Sequence, residues 1–424
     1  MTVIDLGLLR DDVAPEPPGG LPRAAGRPLR IAVVLAFALL VLAGAAPAIP
    51  RMAFVVPAQP GASALLRGDQ LYLLEPGDAP IADSRLSAWT IPASGKARPT
   101  VRWQVVVPVK IGSADGISMM QATADLLLLS GASRGPVQTF AFERGTGRLR
   151  WQQTGSGTPA GRDLLFTEYG AEGQQVVRSV DPETGRARWS AAMSPGMTGY
   201  RYAADGVDRI VVAPPRAPVE VWDARRGVRL HTAQIDWGAS GTGLQIVGDL
   251  LLVNTDRLAG YDFDRLDRRW DVTLTESSSI TSCGLLICAT GQTGGVRALD
   301  PATGRTVWHD TRWGLVGPTR GSRMLADSHG GIWQPLVVLD TATGRTVADL
   351  GIWQLVPATT VDGPLVGVRP AGGGRMLAAE IDVAAARVRV LDALPAVSGK
   401  CRADGELLLC RLVDGAFGVW RLPR

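Results

Sequence analysis

The chain predicts an all-β fold, a β-propeller of eight (or seven) four-stranded antiparallel blades preceded by one N-terminal transmembrane helix. Three observations predict it. A nine-residue phrase recurs at intervals near 40 residues, strand-like runs with tight-turn residues between them fill the intervals, and one uncharged stretch of 19 residues stands near the N-terminus. A fixed period of this size marks repeats too small to bury a core alone, which must stack on their neighbours.

The phrase reads Asp-x-x-Thr-Gly-x-x-x-Trp. Its strict copies are Asp181 to Trp189, with Gly185, and Asp300 to Trp308, with Gly304; a third, Asp340 with Gly344, lacks only the Trp. Fainter copies carry Gly147 and Trp151, Asp223 and Gly227 (ending at His231), Asp262 and Trp270, and Asp382 (ending at Val390), and a stretched one ends at Trp103. The intervals between end points are 48, 38, 42, 39, 38, 40 and 42 residues.

Each element of the phrase has a physical role. A β-branched or apolar run such as Val296 to Leu299 precedes it and reads as a strand. Asp bonds the backbone two residues on and Gly supplies positive φ, so the centre is a tight turn. The Arg-x-x-Trp that follows reads as a half-buried strand whose Trp wedges against the next unit. Two further strand-like runs lie upstream of each hairpin, for example Leu244 to Val247 and Leu250 to Asn254. Four short strands per 40 residues describe a propeller blade. Leu266 and Ala386 stand where Gly is expected, which predicts a different or longer turn in those two copies.

Ahead of the repeats, residues 1–30 are polar and rich in Pro, Gly and Arg, as in a disordered cytoplasmic tail. Residues 31–50 are the predicted membrane helix, and 51–64 a linker to a propeller spanning 65–424. Arg23, Arg27 and Arg30 before the apolar stretch orient the tail inward and the propeller outward. Cleavage near Ala48 is the alternative, and it exports the propeller as well. Four cysteines fall in two local pairs, Cys283 with Cys288 and Cys401 with Cys410, each flanking a turn between the first two strands of a repeat. Two hairpin disulfides in an oxidising compartment are expected.

Charge and motifs narrow the function. The 41 Arg and 3 Lys face 40 acids for a net charge of +4, with no basic stripe interleaved with aromatics, so nucleic acid is not an expected partner. The three His, His231, His309 and His329, sit in different repeats, which argues against a zinc site. No metal or cofactor is expected, and no nucleophile elbow or phosphate-cradling strand-to-helix turn occurs. The repeat acids recur in every unit, so they read as turn formers; catalysis needs one asymmetric place. Trp333 and Trp353, in the echoes Gly331-Ile-Trp-Gln and Gly351-Ile-Trp-Gln, together with Trp313, are candidate binding aromatics outside the repeat.

The phrase at Asp181 to Trp189 and Asp300 to Trp308, with Gly147 and Trp151 as a partial match, resembles the quinoprotein-like β-propellers, whose units are called PQQ-like repeats. The resemblance covers about residues 65 to 424 and implies a ring of seven or eight blades. Enzymes of that family are dehydrogenases holding a quinone cofactor and calcium. This chain has no adjacent cysteine pair and a single Asn, Asn254, so the pattern of those enzymes is not matched. Other relatives are envelope-assembly scaffolds or sensor modules. The expectation is a non-enzymatic, membrane-tethered scaffold or sensor that binds other membrane or envelope proteins. A PQQ- and calcium-dependent dehydrogenase and a small-molecule or carbohydrate sensor are the alternatives.

Overall fold

The computed structural model describes residues 52–77, 83–92, 98–107, 117–131, 136–169, 175–237, 243–255, 257–274, 277–291, 295–328, 333–358 and 364–423. The expected tail and membrane span, 1–30 and 31–50, lie outside them. Among the described residues no helix is long and apolar enough to cross a membrane.

Every element described is a strand, and every named strand pairing is antiparallel. Strands within a unit pair in chain order, as a meander. The strands group into four-stranded units, here sheets 1 to 8, drawn from residues 63–107, 117–154, 156–193, 197–233, 244–272, 277–310, 315–353 and 354–395; a single Ala160–Gly206 pairing joins sheets 3 and 4, and the strand Thr346–Leu355 runs from sheet 7 into sheet 8. Sheet 9 combines Val397–Asp404, Leu407–Leu412 and Phe417–Arg421 with Met52–Val56 from the other end of the chain. Eight of these groups carry the eight predicted turn phrases, and the C-terminal strands form a further four-stranded sheet with Met52–Val56. Met52–Val56 falls in the predicted linker 51–64, since five residues without a turn phrase carry no repeat signal.

Nine sheets make nine seams, and each seam holds one apolar cluster. Sheets 1 and 2 share a cluster that includes Tyr72, Leu86, Trp103, Leu129 and Phe142. At sheet 9 the series returns to its start. Phe54, Val56, Leu409 and Val419 pack on Leu66, Leu71 and Leu73 of sheet 1, while Leu408, Cys410 and Trp420 pack on Val368, Met376 and Leu394 of sheet 8. Each sheet therefore buries both faces, and the arrangement is propeller-like and closed on itself. Burial follows position in the sheet. The second strand of sheet 2, Leu126–Gly131, is buried at all six positions, because a neighbouring sheet covers each face. The fourth strand of the same sheet, Leu149–Thr154, buries only Trp151.

The phrase forms the turn into that fourth strand. The Asp181 carboxylate accepts the backbone N–H groups of Glu183 and Thr184, and Gly185, at φ 69°, donates its N–H to the Asp181 carbonyl. Leu266 and Ala386, at φ of 60° and 53°, bear the left-handed strain that Gly carries elsewhere. The Leu266 N–H reaches the Asp262 carbonyl at 2.8 Å, so that copy keeps the turn where the sequence predicts another type, whereas the Ala386 N–H reaches the Val383 carbonyl at 3.3 Å, a different closure, as the sequence predicts.

Candidate functional site

The seams explain why those two copies tolerate a side chain. Each phrase Trp lies on the phrase Gly of the next unit. A Cβ on Gly147 would stand 2.5 Å from Trp103, and the same crowding pairs Gly185 with Trp151, Gly227 with Trp189, Gly304 with Trp270 and Gly344 with Trp308. The indole N–H then donates into the next turn, Trp103 to the Arg144 carbonyl, Trp151 to Pro182, Trp189 to Arg225, Trp270 to Pro301 and Trp308 to Thr341, at 2.7–3.0 Å. Where the Trp is replaced by His231 or Ala348, the next Gly is replaced by Leu266 or Ala386. Without an indole, the space above the turn is free, and Leu266 fills it at 4% exposure. Trp103, Trp151 and Trp270 are buried at 7–8% exposure, whereas Trp189 and Trp308 are only half-buried.

The first unclamped seam, between sheets 4 and 5, is held differently. The Arg201 guanidinium lies 4.6 Å over the Phe263 ring, bonds Asp208 at 2.6 Å and approaches Asp264 at 3.4 Å. Burial pushes the Asp208 carboxyl up, but the Arg201 hydrogen bond and the charge of Arg209 outweigh it and hold the group below its ordinary range.

The outer strand of sheet 4 lacks the indole. Val228–Ala233 pairs only with Val219–Asp223, as Thr100–Val107, Leu149–Thr154 and Arg268–Val272 pair only with their inner neighbours, so its other backbone edge has no strand beside it. Residues 228–232 are all exposed, which no other outer strand among the described residues shows over five consecutive positions. Val228 and Leu230 are 47% and 37% exposed, and the register shift opposite Val221 and Trp222 makes Leu230 the bulged residue of this strand. An exposed free edge is a template for one more strand. The substitution of His231 for Trp marks this strand in the sequence.

The remaining candidates are dispersed. The cysteines pair as expected, Cys283 with Cys288 and Cys401 with Cys410, at Cα separations of 5.7 and 4.1 Å. Trp353 is 3% exposed, donates to the Leu350 carbonyl at 2.8 Å and packs in the seam of sheets 7 and 8. Trp313 packs in the seam of sheets 6 and 7, with Arg312 5.1 Å over its ring. Only Trp333 of the three is exposed, at 38%, so these aromatics do not line one face. Among the described residues no cluster of three His, Cys, Asp or Glu could hold a metal ion.

A family model described as outer membrane protein assembly factor BamB matches residues 173–331. That span contains both strict copies of the phrase. Among solved structures the chain is similar to BamB from Moraxella catarrhalis at 13% identity, covering 88% of this chain and 100% of that one, with a TM-score of 0.45. It is similar to a europium-containing methanol dehydrogenase at 11% identity, covering 78% and 84%, with a TM-score of 0.42. The C-terminal WD40 domain of Sif2 is similar at 10% identity, covering 89% and 99%, with a TM-score of 0.44. No curated protein matches the chain.

Proposed function

We propose that this protein is a non-enzymatic scaffold, tethered by residues 31–50 with its propeller outside the cytoplasm, that captures an extended segment of another envelope protein. The observation that carries this reading is the bare edge of Val228–Ala233. A partner strand adding there gains backbone hydrogen bonds from the edge and apolar contacts from Val228 and Leu230. Two further observations support it. The matching family model is described as an assembly factor, and both disulfides suit an oxidising compartment.

The test is photo-crosslinking of the full chain in its native membrane. A photoreactive residue at Leu230 should give discrete protein adducts, and one at Leu285, which is 91% exposed in a turn, should give none. Val228→Lys with Leu230→Glu should remove the apolar contacts that favour pairing at this surface, abolishing an adduct read from a probe at Thr232 while leaving thermal unfolding unchanged. Adducts equally frequent from both probe sites, or none from Leu230, refute strand capture. Extraction of the chain by alkaline carbonate would refute the tether.

A further inference from the structure

The inner end of sheet 9 carries a feature that the scaffold reading does not use. A cavity of about 480 Å³ opens between Val397–Asp404, the start of Ser63–Arg67 in sheet 1 and residues 354–357 of sheet 8. Its lining combines apolar Leu355, Val356, Leu409 and Phe417 with Lys400 and Arg402, both exposed. Among the described residues no Asp or Glu lines the cavity.

The cations nearby differ in their engagements. Arg411 donates to the carbonyls of Ala62 and Gln59 at 2.9 and 3.0 Å and stacks on Phe417 at 4.6 Å, so it is committed to the fold. Arg67 is paired with Asp404 at 3.8 Å. Lys400 and Arg402 make no ion pair among the described residues. The backbone that presents them is distorted. Pairing with Leu407–Leu412 shifts register between Gly399 and Arg402, and Lys400 holds φ of 49°. A bulge re-aims side chains, and a non-glycine residue in the left-handed region is retained only where its surroundings enforce it. The neighbouring Cys401 is bonded to Cys410 and buried in the seam with sheet 8.

Two uncompensated cations facing an apolar wall in a cavity of ligand size select one chemistry. We infer that the cavity binds an organic oxyanion with an apolar body, its carboxylate or phosphate head held by Lys400 and Arg402 and its hydrocarbon against Leu355, Val356, Leu409 and Phe417. The inference is independent of strand capture at Val228–Ala233, which lies on another sheet.

Calorimetry tests it, with the full chain in lipid nanodiscs and empty nanodiscs as the blank. Octanoate or octyl phosphate should bind saturably at one site per chain, and whichever is tighter identifies the head group. Octanol and inorganic phosphate, each lacking half of the recognised chemistry, should bind at least tenfold more weakly. Lys400→Gln with Arg402→Gln should weaken the anion at least tenfold, with an unchanged unfolding temperature, and Lys400→Arg should retain binding. Equal binding by the double variant, equal binding of octanol, or no saturable binding of either anion would overturn the inference.

Discussion

Replacing Gly304 by Ala tests the seam mechanism most directly. The added Cβ would stand 2.5 Å from Trp270 Cε3 and 2.7 Å from Cδ2, on a backbone with φ of 70°. The left-handed conformation alone costs an Ala about 1–2 kcal/mol. Moving the indole adds the hydrogen bond to the Pro301 carbonyl, 2.8 Å long, worth about 1 kcal/mol. Disturbed packing around a Trp that is 7% exposed adds about 1–3 kcal/mol. The expected loss is therefore about 3–6 kcal/mol, read from urea unfolding. Gly248→Ala is the internal control, since its φ is 59° with nothing within 4 Å of the added atom. It should lose only the strain, about 1–2 kcal/mol. The decisive measurement repeats Gly304→Ala in a Trp270→Ala background. With the indole gone, the cost should fall to that of the control, giving a coupling of about 2–4 kcal/mol. Additive losses within about 0.5 kcal/mol would refute the claim that Gly is required by the neighbouring indole.

Four other outcomes follow from the same packing. Leu266→Gly should destabilise by about 2–4 kcal/mol through the cavity it leaves, and adding His231→Trp should recover at least half of that in the same urea assay, whereas His231→Trp alone should not stabilise. Non-reducing peptide mapping should recover Cys283 linked to Cys288 and Cys401 linked to Cys410, and Cys283→Ser with Cys288→Ser should cost about 2 kcal/mol for so short a loop. Asp262 is held at about 2, first by the Arg269 hydrogen bond and then by the Arg265 backbone N–H. Its folded pKa is below the unfolded value of about 4, so its stabilisation is complete above that value and lost as pH falls toward 2; Asp262→Asn should flatten unfolding midpoints across that window. Val56→Ala, at a side chain with 0% exposure in the closing strand, should cost about 2 kcal/mol, and an effect of a few tenths would mean that Met52–Val56 does not close the ring.

Strand content was legible because it depends on neighbours in the chain. The Asp181 turn is made by groups within four residues, so Asp, Thr and Gly at fixed offsets reveal it. Cys283 and Cys288 flank a two-residue turn, and their pairing is local as well. The docking of each Trp on the next unit was legible in outline, since a large aromatic at a fixed place in each repeat must bury somewhere. The identity of its partner was not. Gly304 answers to Trp270, 34 residues earlier, and only the packed seam shows that Leu266 and Ala386 are permitted because His231 and Ala348 precede them.

The amino-acid pattern alone settled the all-β class, the four-stranded unit and the disulfides, since period, turn chemistry and cysteine spacing are short-range properties. Tertiary structure decided the number of units and their closure, because Met52–Val56 joins Phe417–Arg421 across almost the whole chain and carries no local signal of doing so. It also decided which positions are bare. The exposed edge at Val228–Ala233 and the unpaired Lys400 and Arg402 are defined by what neighbouring sheets leave uncovered, a quantity that exists only once the seams have formed.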